Sequence, residues 1–297
     1  MSNWIDSTSP LPSASATEEN WVAVTEEAML EVKGEDAARL LQGQLTADMV
    51  KLTPGQSAGA ALCNPKGRIL ALMRVLRTEG GFLIRTAADN QATLLETLKK
   101  YAVFFKVSIQ PLSDCGVLYS SAAGLPGFDA LYDRQRPDAS REVWVCSSAL
   151  TEWLESPQAQ RGDEAWRRSQ IRCGEPTVYG ASSGEYLPHA LSLDLSSMIS
   201  FDKGCYTGQE IVARTHYRGK SKRRLAAISC NGIEVAPGDL LQSEQGNAIA
   251  DVIMLAQVGD RTEMLLSAVD PLEPTSELYF QQQKLNWSAI RFPWEQV

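Results

Sequence analysis

"FDKGCYTGQE", Phe201 to Glu210, gathers a lysine, two glycines, a cysteine, a tyrosine and an amide into ten residues. Glycines four apart, at Gly204 and Gly208, permit positive φ and close approach of another backbone or a ligand. Their exposed N–H groups could also cradle an anion. The run lacks the G-x-x-x-x-G-K-[ST] order of a nucleotide phosphate loop. Cys205 follows Lys203 by two residues, and a nearby ammonium stabilises a thiolate. A surface turn holding an ordinary cysteine has the same pattern, so spacing alone leaves both readings open.

Working outward, "VARTHYRGKSKRR" carries Arg214, Arg218, Lys220, Lys222, Arg223 and Arg224, with no acid from Ile211 to Cys230. In a chain of formal net charge −8 this is a local positive patch. It suits a phosphate, a polycarboxylate tail or RNA; a solvated linker into the next domain is the plainer alternative. Interleaved aromatics are few (Tyr206, Tyr217), which weakens dedicated RNA recognition. On the other side, Glu175 to Ser200 is rich in Pro, Gly and Ser and reads as a long irregular segment.

From Met29 the pattern is regular. "MLEVKG" alternates like a strand, and "EDAARLLQGQLTADM" places Ala37, Leu40, Leu41 and Leu45 at helical spacing. "QSAGAALCN" and "GRILALMRVLR" are strands joined by the turn "NPKG", and "GFLIRTA" is another. "DNQATLLETLKKYAV" is a helix with Asp89 as its expected N-cap, followed by the strand "KVSIQPL". The order β-α-β-β-β-α-β resembles a ferredoxin-like unit with one extra strand. A second pass has strands "GVLYSS" and "EVWVCS" and helices "SALTEWLE" and "GDEAWRRSQIRCG". From Arg224 on, six short strands separated by turns such as "APGD" and "EQGN" predict a small barrel.

The composition excludes several classes. Of 297 residues, 44% are hydrophobic and 22% charged, a globular profile. No run of 18 apolar residues predicts a membrane span. The opening "MSNWIDSTSPLPSASATEEN" lacks a basic start and an apolar core, so it reads as a mobile tail, and a cytoplasmic location is expected. The six cysteines are scattered without a C-x-x-C pair; disulfides are not expected, and five of the six read as buried apolar residues. With His189 and His216 the only histidines, a Cys/His zinc site is not expected and no metal ligands are assigned. Trp166, on a helix, could stack on a flat heterocycle or fill a core. No Ser-His-Asp arrangement is present.

"KGCYTGQEIVAR" (Lys203–Arg214) resembles the signature of the YgfZ family, folate-binding proteins linked to iron–sulfur cluster maintenance. "GEDAARLLQGQLTADM", "CNPKGRIL", "LKKYAVFFKVSI" and "EYLPHALSLDLSSMISFDKGCYTGQE" match its pattern in the same order. The family is distantly similar to the glycine-cleavage T-protein, a tetrahydrofolate-dependent aminomethyltransferase. The resemblance implies an α+β fold: two ferredoxin-like lobes and a small C-terminal β-barrel in a ring around a central channel. The expected domains are a tail over 1–20, a folate-binding region over 21–221 and a barrel over 222–297.

It also implies a site. Lys203 and Cys205 match the functional signature, and Trp166 matches a tryptophan lining the folate pocket of a bacterial member. The second folate-contacting tryptophan of that member falls at Glu27. The T-protein's folate-holding Glu falls at Arg172, and its catalytic carboxylate falls near Asp114 in an unmatched surrounding, so no turnover is assigned. For a tetrahydrofolate or a derivative, Trp166 would supply the stacking face. Gln44, Asp48 or Gln209 would supply the polar edge, and Arg172, Arg214 or Arg218 the cations for the glutamate tail. Cys205, activated by Lys203, would exchange with disulfides or meet iron held jointly with a partner protein. The expectation is an accessory factor for assembly or repair of iron–sulfur enzymes, including tRNA-methylthiolating ones. Iron–sulfur enzymes or assembly proteins are the expected partners; RNA is engaged only indirectly, and DNA and membrane not at all. The alternatives are a folate-dependent one-carbon transferase and a direct tRNA-binding factor.

Overall fold

A computed structural model describes residues 11–14, 20–122 and 129–295. Along the chain run β1 (Val22–Val24), β2 (Glu27–Lys33), α1 (Ala37–Gln44), β3 (Ser57–Cys63), β4 (Ile69–Thr78), β5 (Gly81–Ala87), α2 (Gln91–Tyr101) and β6 (Ser108–Leu112). Then come β7 (Cys115–Ser120), β8 (Tyr132–Gln135), β9 (Arg141–Cys146), α3 (Ser147–Leu154), α4 (Asp163–Cys173) and α5 (Gln209–Arg218). Last are β10 (Arg223–Asn231), β11 (Leu240–Gln242), β12 (Ala248–Val258), β13 (Arg261–Val269), β14 (Tyr279–Phe280), β15 (Gln283–Lys284) and β16 (Trp287–Ile290).

These strands form three antiparallel sheets, ordered β3-β4-β5-β2-β6, β1-β7-β9-β8 and β15-β14-β11-β12-β13-β10-β16. In the first, one face packs Leu30, Val32, Ala60, Leu62 and Ile84 against Leu40 and Leu41 of α1 and Leu94 and Leu98 of α2. Its other face sends Met29, Leu76 and Leu83 against Val117, Tyr119 and Trp144 of the second sheet and Trp166 of α4. Both faces are therefore covered, which is why β5 is buried at all seven positions. The third sheet is a curled half-barrel whose ladder ends at β15 on one side and β16 on the other, not a closed barrel. A central core joins it to the rest through Ile171 of α4, Val212 of α5, Leu191 and Leu193.

Several sequence expectations change. Asp89 does not cap α2; its carboxylate accepts the N–H of Gly180 at 3.0 Å, tying the helix entry to the irregular segment. The stretch expected as a turn and linker contains the helix α5, whose N-cap is Gly208. Cys115 and Cys146 stand opposite each other in the β7–β9 ladder and are joined as a disulfide, against the expectation of none. Their register makes them cross-strand neighbours, which 31 residues of sequence separation does not advertise. Part of the expected mobile tail is held: Ala14 N–H donates to Arg161 O at 2.7 Å and Arg161 N–H to Pro12 O at 2.8 Å. Residues 1–10 and 15–19 lie outside the described residues. No helix among the described residues is long and apolar enough to cross a membrane.

Candidate functional site

The Cys205 turn is fixed from both ends. At its start Lys203 is buried, and its ammonium donates to Gln42 O at 2.7 Å, Ala47 O at 2.9 Å and Leu45 O. These carbonyls belong to the exit of α1, where helical carbonyls lack intrahelical partners. Burial lowers the Lys203 ammonium to about 8, and Asp48 opposes the shift. The ammonium is thus committed to carbonyls, and Lys203 serves as an anchor for the turn instead of the activator of Cys205 that its spacing suggested. Tyr206 is buried beside it, with the Lys203 ammonium 5.1 Å from the ring centroid. Thr207 donates its hydroxyl to Gln44 Oε1 at 3.0 Å and its N–H to Gly43 O.

The two glycines differ. Gly208 has φ +84°, and a Cβ there would lie 2.5 Å from Asn64 O and 3.0 Å from Gly67 Cα. The "NPKG" turn and the Cys205 turn therefore pack backbone to backbone, and only glycine fits. At Gly204 a Cβ would meet nothing within 4 Å. The room beside Cys205 is open to something outside this chain.

All six cysteines fall among the described residues, and Cys205 alone is both free and exposed. Burial pushes the Cys63 thiol up to about 12 and the Cys173 thiol up to about 11, and raises Cys230. Those three are inert as nucleophiles near neutral pH, because the thiolate is the reactive form.

The other expected ligand groups scatter. Trp166 is 1% exposed. Its indole N–H donates to Glu27 at 3.0 Å, and the guanidiniums of Arg85 and Arg136 lie 5.0 and 4.3 Å from its ring. Arg172 is bound to Glu263 through two hydrogen bonds of 2.9 and 2.6 Å, clamping α4 to β13. Gln209 accepts the N–H of Tyr206 at the start of α5. Arg214 and Arg218 come together at the far end of α5, lining a cavity of about 530 Å³ with His189, Lys220, Lys222 and Arg223. Asp48 bonds Gln42 and Lys51, and Asp114 accepts the Ser147 hydroxyl at 3.1 Å; neither lines that cavity.

One group escaped the sequence reading altogether. Around Trp166 four arginines (Arg74, Arg85, Arg134, Arg136) interleave with Glu27, Glu142 and Glu175. Arg85 bridges Glu27 at 2.6 Å and Glu142 at 2.8 Å, while Arg136 holds Glu175 at 3.0 Å. Burial acts to raise Glu142, but Arg85, Arg134, Arg74 and Arg136 outweigh it and hold the carboxyl at about 2. At Glu175 burial is likewise outweighed, by Arg136, Arg134 and Arg74, which hold it low, whereas burial wins at Glu27 and raises it. The cluster borders a central cavity of about 40 Å³ lined by Arg74, Arg85, Gln170, Glu175, Thr177 and Met198. The only sequence signal was a lone charge in each of several apolar strands, such as Arg85 in "FLIRTA".

No family model matches the chain. A "tRNA-modifying protein YgfZ" of Klebsiella pneumoniae is 32% identical over 91% of this chain and 89% of that protein. The chain belongs to the YgfZ family. A YgfZ protein of Vibrio atlanticus is 32% identical over 73% of the chain and 69% of its own length. An uncharacterized protein of Haemophilus influenzae is 37% identical over 69% of the chain and 71% of its own. Among solved structures, the glycine cleavage system aminomethyltransferase T of Bartonella henselae superposes with a TM-score of 0.72. It covers 94% of the chain and 87% of that protein at 19% identity. That likeness establishes the fold: the chain has the architecture of the T-protein.

Proposed function

We propose that this YgfZ-family protein is a cytoplasmic, folate-binding accessory factor for iron–sulfur enzymes, including those that modify tRNA. In this reading residues 21–221 form the folate-binding region, built from two ferredoxin-like lobes, and 222–297 form the half-barrel domain. The observation that carries it is the Cys205 turn: a free thiol on open ground, held by Lys203 below and Gly208 behind. One thiol cannot hold a cluster alone, so Cys205 acts together with a partner protein. In a strain lacking the protein, Cys205→Ala is expected to leave methylthiolated tRNA and iron–sulfur enzyme activity unrestored. Full restoration overturns this role.

Tetrahydrofolate, or a derivative, is placed in the central cavity beside Trp166. At about 40 Å³ that cavity is too small for the ligand as it stands, since ligand sites run from roughly 300 Å³ upward. Met198 is the movable wall: its side chain packs on Gly59, 3.0 Å from where a Cβ there would sit. Unbranched methionine repacks readily. Calorimetric titration with tetrahydrofolate is expected to show saturable binding, tighter for Met198→Ala. No heat and no rise in melting temperature would remove the folate.

A second reading has one observation in its favour. The cavity at the end of α5 is lined by five cationic side chains and no acid, a setting for RNA phosphates. Direct tRNA binding predicts an affinity that falls steeply with salt; absence of binding at low salt removes it.

A further inference from the structure

His189 lies on a short 3-10 turn (Pro188–Leu191) of the irregular segment, 2% exposed, with neither ring nitrogen hydrogen-bonded. A buried imidazole without any partner is unusual enough to need a reason, such as an ion. Asp194 faces it, with Oδ2 3.9 Å from His189 Nε2, while its other oxygen accepts Arg224 Nη1 at 2.6 Å. His216 completes the group from the last turns of α5, its ring stacked on Phe201 at 3.8 Å. One donor atom from each of His189, Asp194 and His216 falls within 4.8 Å of the others.

We propose that His189, Asp194 and His216 form a divalent transition-metal site of the zinc class. Two imidazoles and a carboxylate are a donor set this ion takes, and three protein ligands leave a fourth position for water. Arg224 orients the carboxylate from behind, as hydrogen-bonding partners of metal ligands do. Bonds of about 2.0–2.2 Å require the donors to draw closer. His216 supplies that movement, because it is the exposed member of the three. The expectation that two histidines could not make a zinc site considered cysteine as the third donor; a carboxylate replaces it. Bound metal would fasten α5 to the 3-10 turn, independently of whether folate or a partner enzyme binds.

The test uses the full chain, stripped with a chelator and titrated with zinc. One ion per chain is expected, with unchanged stoichiometry and affinity in Cys205→Ser. His216→Gln, at an exposed position, is expected to weaken binding at least about tenfold while keeping the native circular dichroism. Cobalt substitution reads the donors without any mutation. A visible tetrahedral band without a near-ultraviolet thiolate charge-transfer band supports the site. A thiolate band, zinc binding lost in Cys205→Ser, undiminished binding in folded His216→Gln, or no zinc retained by the unmutated protein overturns it.

Discussion

The Cys205 turn and the cluster around Trp166 both bury charge, by different means. In the turn a single ammonium meets three neutral carbonyls at the end of α1. In the cluster, four guanidiniums meet three carboxylates, and each carboxylate serves more than one partner. A cation on carbonyls replaces water with dipoles that were already short of partners. A network of full charges stands only while every member is present, since removing one strands the others in a low-dielectric interior. The first device holds a surface feature in place; the second holds two sheets and a helix together.

The largest effect is expected where the network breaks. Glu142→Ala should cost about 3–5 kcal/mol in denaturant-monitored stability, because Arg85 and Arg134 lose a shared partner. The same residue sets an acid limit. Its pKa falls from 4.5 in the unfolded chain to about 2 in the folded one. Its contribution is therefore fully present above 4.5 and is lost as pH falls from there towards 2. Melting curves across that window should show a slope that Glu142→Gln flattens.

Next in size is Gly208→Ala, which combines a left-handed backbone with a clash against Asn64 O and should cost about 2–3 kcal/mol. Lys203→Met leaves three carbonyls short of a donor and should cost about 1–3 kcal/mol. If Lys203→Met proves as damaging as Glu142→Ala, the distinction between the two devices fails. The smallest effect sharpens it: Gly204→Ala and Cys205→Ala should stay within about 0.5 kcal/mol of the parent. A loss of function in Gly204→Ala at unchanged stability would show that a partner approaches the open side of the turn.

The same two regions show what could be read from the chain. The turn was legible as a site because Lys203, Cys205 and Gly208 are nearly contiguous; the anchoring by Lys203 was not, because its carbonyl partners lie far upstream at the exit of α1. The strands β2 to β6 and the helices α1 and α2 were legible from strong periodicity and from turns such as "NPKG". The cluster was not, since Glu27, Arg74, Arg85, Arg134 and Glu142 come from β2, β4, β5, β8 and β9, Arg136 from the turn after β8, and Glu175 from the segment after α4. Each looks like an isolated surface charge until the sheets close over it. β1 and β8 are three and four residues long, too short for alternation to register. Helix α5 was hidden by its cations, which resemble a solvated linker. Trp166 and Arg172 share one helix yet point to separate neighbours, Glu27 and Glu263. Helical phase could have separated them, but their neighbours could not be known.

Helix α5 starts just past its N-cap Gly208, three residues beyond the exposed thiol, and ends among the cations around Arg218. Ten residues of helix measure about 15 Å, and packing of Val212 fixes its position in the core. The chain thus carries a rigid ruler with a sulfur at one mark and an anion-attracting recess at the other. Any visitor that engages both must carry its own soft electrophile, or its iron, at that distance from a negative group.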